Sequence, residues 1–81
     1  MEKVMLPNKL KLFIADVEDL YTKKQEFWYV VDEDYEHALG RFVEEANETW
    51  DRYGYYFFEA DDDSIREFVE YYENIEIGVY I

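Results

Sequence analysis

Cysteine is absent from this 81-residue chain, which removes disulfide frameworks, thiolate metal sites and a cysteine nucleophile together. Proline occurs once, at Pro7, and glycine only at Gly40, Gly54 and Gly78, so no flexible linker divides the chain and no glycine-rich phosphate loop can be assembled. His37 is the only histidine. Without cysteine or a second histidine it is a poor start for zinc, and it reads as a residue where a helix's apolar stripe meets its polar side. No apolar run approaches the ~20 residues that span a bilayer, and Met1 to Pro7 lacks the apolar stretch of a secretory signal. The expected location is the cytoplasm, away from membranes, and the Asn47-Glu48-Thr49 sequon is then incidental.

Positive charge is also scarce: eight Lys and Arg face 21 Asp and Glu, a net charge of -13. Charge alone would suggest a disordered chain, but 49% hydrophobic and 21% aromatic residues exclude that composition. A chain this short buries somewhat over ~60% of its unfolded surface in one core, so residues 1–81 read as one domain, with residues 1–8 as a leader. The acidity is uneven. Residues 1–24 hold five Lys against four acids, whereas residues 25–81 hold 17 acids against Arg41, Arg52 and Arg66. Such a field repels nucleic acid and anionic membranes and attracts basic protein surfaces.

The hydrophobic pattern supplies the fold. Lys9 to Ala15 alternates lysine with leucine before turning apolar, a half-buried strand with Leu10, Leu12 and Ile14 on one side. Residues 16–25 lack clean periodicity and read as a connection to a second strand, Glu26 to Val31, rich in aromatic and β-branched residues. The period then changes: Tyr35, Ala38, Leu39, Phe42, Val43, Ala46 and Trp50 recur at three and four residues, one face of a helix. Asp34 suits its N-cap, Glu36 its first turn, and Gly54 a left-handed end. Tyr55 to Ala60 reads as a third strand. A second helix follows with Ile65, Phe68, Val69 and Tyr72 inward, capped by Ser64 in a capping box with Glu67 or by one of Asp61, Asp62 and Asp63. Ile75, Ile77, Val79 and Ile81 alternate as a fourth strand. The expected fold is α+β: a two-layer, four-stranded, mainly antiparallel sheet with two helices on one face. Aromatic residues on the other, uncovered face would form a contact patch.

Catalytic equipment is hard to find. Two acidic clusters, Asp32-Glu33-Asp34-Glu36 and Glu59-Asp61-Asp62-Asp63, lack the glycine turn of a calcium loop and read first as helix-capping, solvated groups. A Ser/His/Asp triad could use only Ser64, which capping already explains. The chain is expected to be no enzyme and to carry no cofactor or metal.

The helix surfaces say more. Glu44, Glu45, Glu48 and Asp51 line the outer side of the first helix, and Asp63, Glu67, Glu70 and Glu73 that of the second, with Asp61 and Asp62 preceding it. Residues three or four apart on a helix lie about 5–6 Å from one another, and like charges there repel by a few tenths of a kcal/mol. Solubility needs no such repetition, since mixed charges would serve. Helix geometry does force the spacing, however, so a merely solubilising surface remains the alternative. Duplex DNA carries a phosphate about every 3.4 Å along each strand, and carboxylate rows on two neighbouring helices could present comparable charge to a DNA-binding groove. Tyr71 and its neighbouring tyrosines add rigid interface anchors.

In its size, its lack of cysteine, its Glu- and Asp-edged helices and its many tyrosines, the chain resembles the small acidic inhibitors of phages and mobile elements, the DNA-mimicking anti-CRISPR and antirestriction proteins. Val30 to Leu39 is also similar to the strand-to-helix junction of many small phage and plasmid modules. The resemblance implies a non-enzymatic inhibitor of a basic nucleic-acid-binding protein, such as a bacterial defence nuclease, with no direct contact to nucleic acid. The expected contact residues are Glu44, Glu45, Glu48, Asp51, Asp61, Asp62, Asp63, Glu67, Glu70, Glu73 and Tyr71. The alternative is a small homo-oligomeric module, a homodimer for example, joined through an aromatic sheet face or a strand edge.

Overall fold

A computed structural model describes residue 6, residues 9–46 and residues 53–80, residue 53 by its backbone alone. The elements run β1 (Lys11–Asp19), β2 (Gln25–Asp32), α1 (Tyr35–Glu45), β3 (Tyr53–Glu59), α2 (Asp62–Tyr71) and β4 (Gly78–Tyr80). The four strands form one antiparallel sheet in the order β3-β1-β2-β4, and the α+β class and element order are those the hydrophobic pattern predicts.

The helices do not share a face, which corrects the two-layer expectation. Leu12, Phe13, Ile14 and Ala15 are all buried although successive strand residues point to opposite sides. Phe13, Ala15, Val17, Val30 and Phe57 pack with Ala38, Phe42 and Ala46 of α1. Leu12, Ile14 and Val31 pack with Phe68 of α2, joined by Ile65, Val69 and Tyr72. The sheet therefore lies between the helices, because an apolar run on a central strand needs cover on both sides.

β1 also reaches beyond its predicted end. Asp16 to Asp19 is strand, paired with Gln25 to Phe27 and with Tyr53 to Tyr56. Its acids concealed an alternation in which Ala15 and Val17 face α1 while Asp16 and Glu18 lie on the side that α2 leaves open. The turn is closed by Asp19, whose carboxylate accepts the N–H groups of Tyr21 at 2.9 Å and Thr22 at 3.2 Å. Lys23 takes a left-handed conformation (φ 64) there, and its N–H donates to the Asp19 carbonyl at 2.8 Å.

Three further boundaries differ. α1 ends at Glu45 with Ala46 as its cap. Gly54 lies inside β3, with no left-handed glycine anywhere among the described residues. Trp50, predicted on the α1 stripe, lies outside the described residues. β4 begins only at Gly78 and is described to Tyr80, with Ile81 outside the described residues; Ile75 does pack on the α2-side core, but Ile77 is exposed. Packing also begins earlier than Lys9, since Leu6, within the stretch read as a leader, is buried in the α2-side core.

Gly40 is exposed on α1, and a Cβ built there meets nothing within 4 Å. Glycine in a helix interior costs about 0.5–1 kcal/mol relative to alanine. Gly40→Ala is therefore expected to raise the unfolding free energy by roughly that amount, measured as a higher urea midpoint at unchanged slope.

Candidate functional site

The acids form no single two-helix lattice. Glu44 and Glu45 on α1 and Glu67 and Glu70 on α2 are all exposed, but the sheet stands between the helices that carry them. Glu73 is exposed beyond the end of α2, whereas Glu48 and Asp51 lie outside the described residues. The correction follows from the buried strand: helices on opposite faces cannot pool their outer surfaces.

What the fold gathers instead is the two helix starts. β2 and β3 both run antiparallel to β1 and so finish at the same end of the sheet, where Lys11 pairs with Asp32 and Phe13 with Glu59. The Ala60 N–H donates to the Leu12 carbonyl at 2.9 Å, fixing the start of α2 beside the first residues of β1. With strands about 4.8 Å apart, the Asp32-to-Glu36 and Glu59-to-Asp63 segments leave the sheet roughly 10 Å from one another, one for each face.

Within this acidic pole the carboxylates divide by task. Asp32 is buried, accepting the Glu33 N–H at 2.7 Å and the Arg41 Nε–H at 3.0 Å, so it ties β2 to α1 and presents no free charge. Asp34 caps α1 by accepting the His37 N–H at 2.8 Å, and Asp61 caps α2 by accepting the Ser64 N–H at 2.8 Å. The structure thus selects Asp61 among the possible caps of α2. These backbone hydrogen bonds hold both carboxyls below the usual aspartate range, with the His37 side chain adding to the effect at Asp34. Glu33, Glu36, Glu59, Asp62 and Asp63 remain exposed. Of these, Asp63 alone makes an ion pair among the described residues, with Arg66 at 3.7 Å on the surface, a geometry worth little.

A second feature lies along α2, whose residues Ser64, Glu67, Phe68, Tyr71 and Tyr72 border a cleft of about 400 Å³ closed on the sheet side by Tyr29. Phe68 is the buried floor. Its ring centroid is 4.6 Å from Tyr72 and 5.5 Å from Tyr29, and Tyr71 stands edge-on to Tyr72 at 4.9 Å. The Tyr80 hydroxyl fixes the wall behind Tyr72, donating to the Glu76 carbonyl at 2.8 Å and accepting the Glu76 N–H at 2.9 Å. Of the cleft residues, sequence reasoning singled out Tyr71 and Glu67 for binding. It placed Phe68 in the core and Tyr29 in a strand, and their meeting is a product of the fold.

The uncovered aromatic face exists in part. Beyond the reach of α2, Phe27, Tyr56 and Phe58 are exposed on the sheet, flanking Asp16 and Ile14 in register. Among the described residues, no group of three or more His, Asp or Glu side chains is placed to hold a metal, and no helix is long and apolar enough to cross a membrane.

Comparison with protein-family models, curated proteins and solved structures found no match.

His37 offers a direct probe of the pole. Its Nδ1 lies 2.8 Å from the Asp34 carboxylate, and that hydrogen bond, then the negative charge of Asp34, Asp32 and Glu33, raises its pKa above the ordinary 6.5. A raised folded value means that the pair stabilises the fold fully below about pH 6.5 and loses this contribution as pH rises through the folded pKa. The lowered Asp34 and Asp61 values act oppositely, contributing above the ordinary 3.8 and losing that contribution as pH falls through the folded values. NMR titration is expected to place His37 above 6.5, and Asp34→Asn to bring it back toward that value.

Proposed function

We propose that this chain is a non-enzymatic cytoplasmic inhibitor that covers a basic, nucleic-acid-binding surface of a bacterial protein, a defence nuclease being the expected class. The contact is the acidic pole, offering carboxylates where phosphates would lie, and inhibition is occlusion without turnover. One observation carries the reading: both acidic helix starts meet at one end of the sheet, where Glu33, Glu36, Glu59, Asp62 and Asp63 are exposed on a folded frame. Eighteen of the 21 acids fall among the described residues, and all but Asp16, Glu18, Asp19 and Asp32 are exposed. The six described Lys and Arg leave this surface strongly negative, and negative charge steers association with a cationic groove.

Inhibition is expected to compete with DNA, because both would occupy the same cationic groove, and to weaken steeply as salt rises, because dissolved ions screen the attraction between the exposed charges. Glu33, Glu36, Asp62 and Asp63 reversed together to lysine should abolish competition while circular dichroism stays native, whereas reversing Glu44 and Glu45, away from the pole, should have little effect. Competition retained by the pole variant rules out this mechanism.

The exposed Phe27 of β2 and Tyr56 and Phe58 of β3, which among the described residues is an edge strand paired only with β1, favour a second reading, a small homo-oligomeric module. Sedimentation velocity separates the two. A monomer at both low and high salt is expected from the inhibitor reading, and a salt-insensitive dimer lost on Tyr56→Ser from the module.

A further inference from the structure

The cleft along α2 differs in chemistry from the pole that adjoins it. Its lining among the described residues is four aromatic rings, Tyr29, Phe68, Tyr71 and Tyr72, with the hydroxyls of the three tyrosines and Ser64, one carboxylate, Glu67, and no cation. The rings are mutually inclined, at 44° for Tyr29 with Phe68 and 67° for Tyr71 with Tyr72, so they present ring faces in more than one direction. Aromatic faces carry negative quadrupole potential and attract cations within about 6 Å of the ring centre, most strongly where water is excluded. Arginine suits such a site better than lysine, since its planar guanidinium stacks on rings while its fork of N–H donors meets a carboxylate side-on. The surrounding field agrees: Glu70 follows Glu67 on the same helix, and Arg66, the described cation nearest in sequence, is turned to Asp63.

We infer that this cleft is an arginine-accepting pocket in which the side chain of a basic partner inserts against Phe68, is flanked by Tyr71 and Tyr72, and pairs with Glu67. The occupant is one arginine of the protein whose basic surface the pole covers, so the inference rests on the proposed function and adds to it a point of anchoring. The pole supplies long-range attraction, screened by salt. The cleft supplies short-range recognition of a particular side chain, which charge alone does not provide.

N-acetyl-arginine amide is a probe that needs no partner protein. Titrated into the ¹³C-labelled chain, it should shift the ring resonances of Tyr29, Phe68, Tyr71 and Tyr72, while its neutral isostere N-acetyl-citrulline amide should not. Tyr71→Ala removes an exposed side chain and should leave the fold intact while weakening the response about tenfold, equivalent to ~1.4 kcal/mol; Glu67→Gln should weaken it comparably. Equal shifts with citrulline, no movement of the cleft rings, or an undiminished response in Tyr71→Ala overturns the pocket. An equal response to N-acetyl-lysine amide overturns the guanidinium assignment, and ring shifts that grow with protein concentration without probe assign the cleft to a second copy. Failure here leaves DNA competition by the pole untouched, and a Glu33, Glu36, Asp62 and Asp63 reversal that abolishes competition should leave arginine binding in place, so the two readings can fail separately.

Discussion

Burial of β1 on both of its sides is the constraint from which the rest of this small fold follows. Leu12 and Ile14 face one way and Phe13, Ala15 and Val17 the other, so covering only one side would leave large apolar area in water at about 25 cal/mol per Å². Neither helix can cover both. α1 supplies Ala38, Phe42 and Ala46 to one side, α2 supplies Phe68 with Ile65, Val69 and Tyr72 to the other, and aromatic packing joins each helix to the sheet. Phe42 stacks on Phe57 at 5.5 Å, while Phe68 meets Tyr80 edge-on at 5.2 Å. That apolar interior offsets the repulsion expected of a chain with a net charge of -13.

The same topology decides where the charge gathers. β2 and β3 flank β1 and run parallel to each other, so the helices that follow them both begin at one end of the sheet. Helix starts favour acidic residues twice over: their unpaired N–H groups donate to carboxylate caps, and the macrodipole places partial positive charge there. Each cluster stabilises its own helix, and their convergence produces an acidic pole that neither helix was required to make. Asp32, Asp34 and Asp61 are committed to holding the frame, while the neighbouring Glu33, Glu36, Glu59, Asp62 and Asp63 stay exposed.

α2 links the pole to the aromatic cleft. Its first turn carries Asp62 and Asp63, its next turn Glu67 and Phe68, and its last residue is Tyr71, so charge gives way to aromatic surface within ten residues of one helix. An interface built this way would draw a cationic partner by its field and select it by shape, two effects with different salt dependence.

Local pattern was enough to give the element order, the Asp34 cap, the inward Ala38, Leu39, Phe42 and Ala46 of the first helix and Ile65, Phe68, Val69 and Tyr72 of the second, and the concentration of acid after residue 24, because each depends on residues a few positions apart. It failed where a residue's surroundings come from distant segments. Asp16 and Glu18 hid the second half of β1 because polar residues are tolerated on the side that α2 leaves open, and Ile77 was read into a strand although residues 75–77 lie outside β4. The side of the sheet each helix takes, the separation of Glu44 and Glu45 from Glu67 and Glu70, the meeting of the two acidic helix starts and the closing of Tyr29 over Phe68 belong to tertiary structure alone. Periodicity states that a face must be buried, and only the packed chain decides against what.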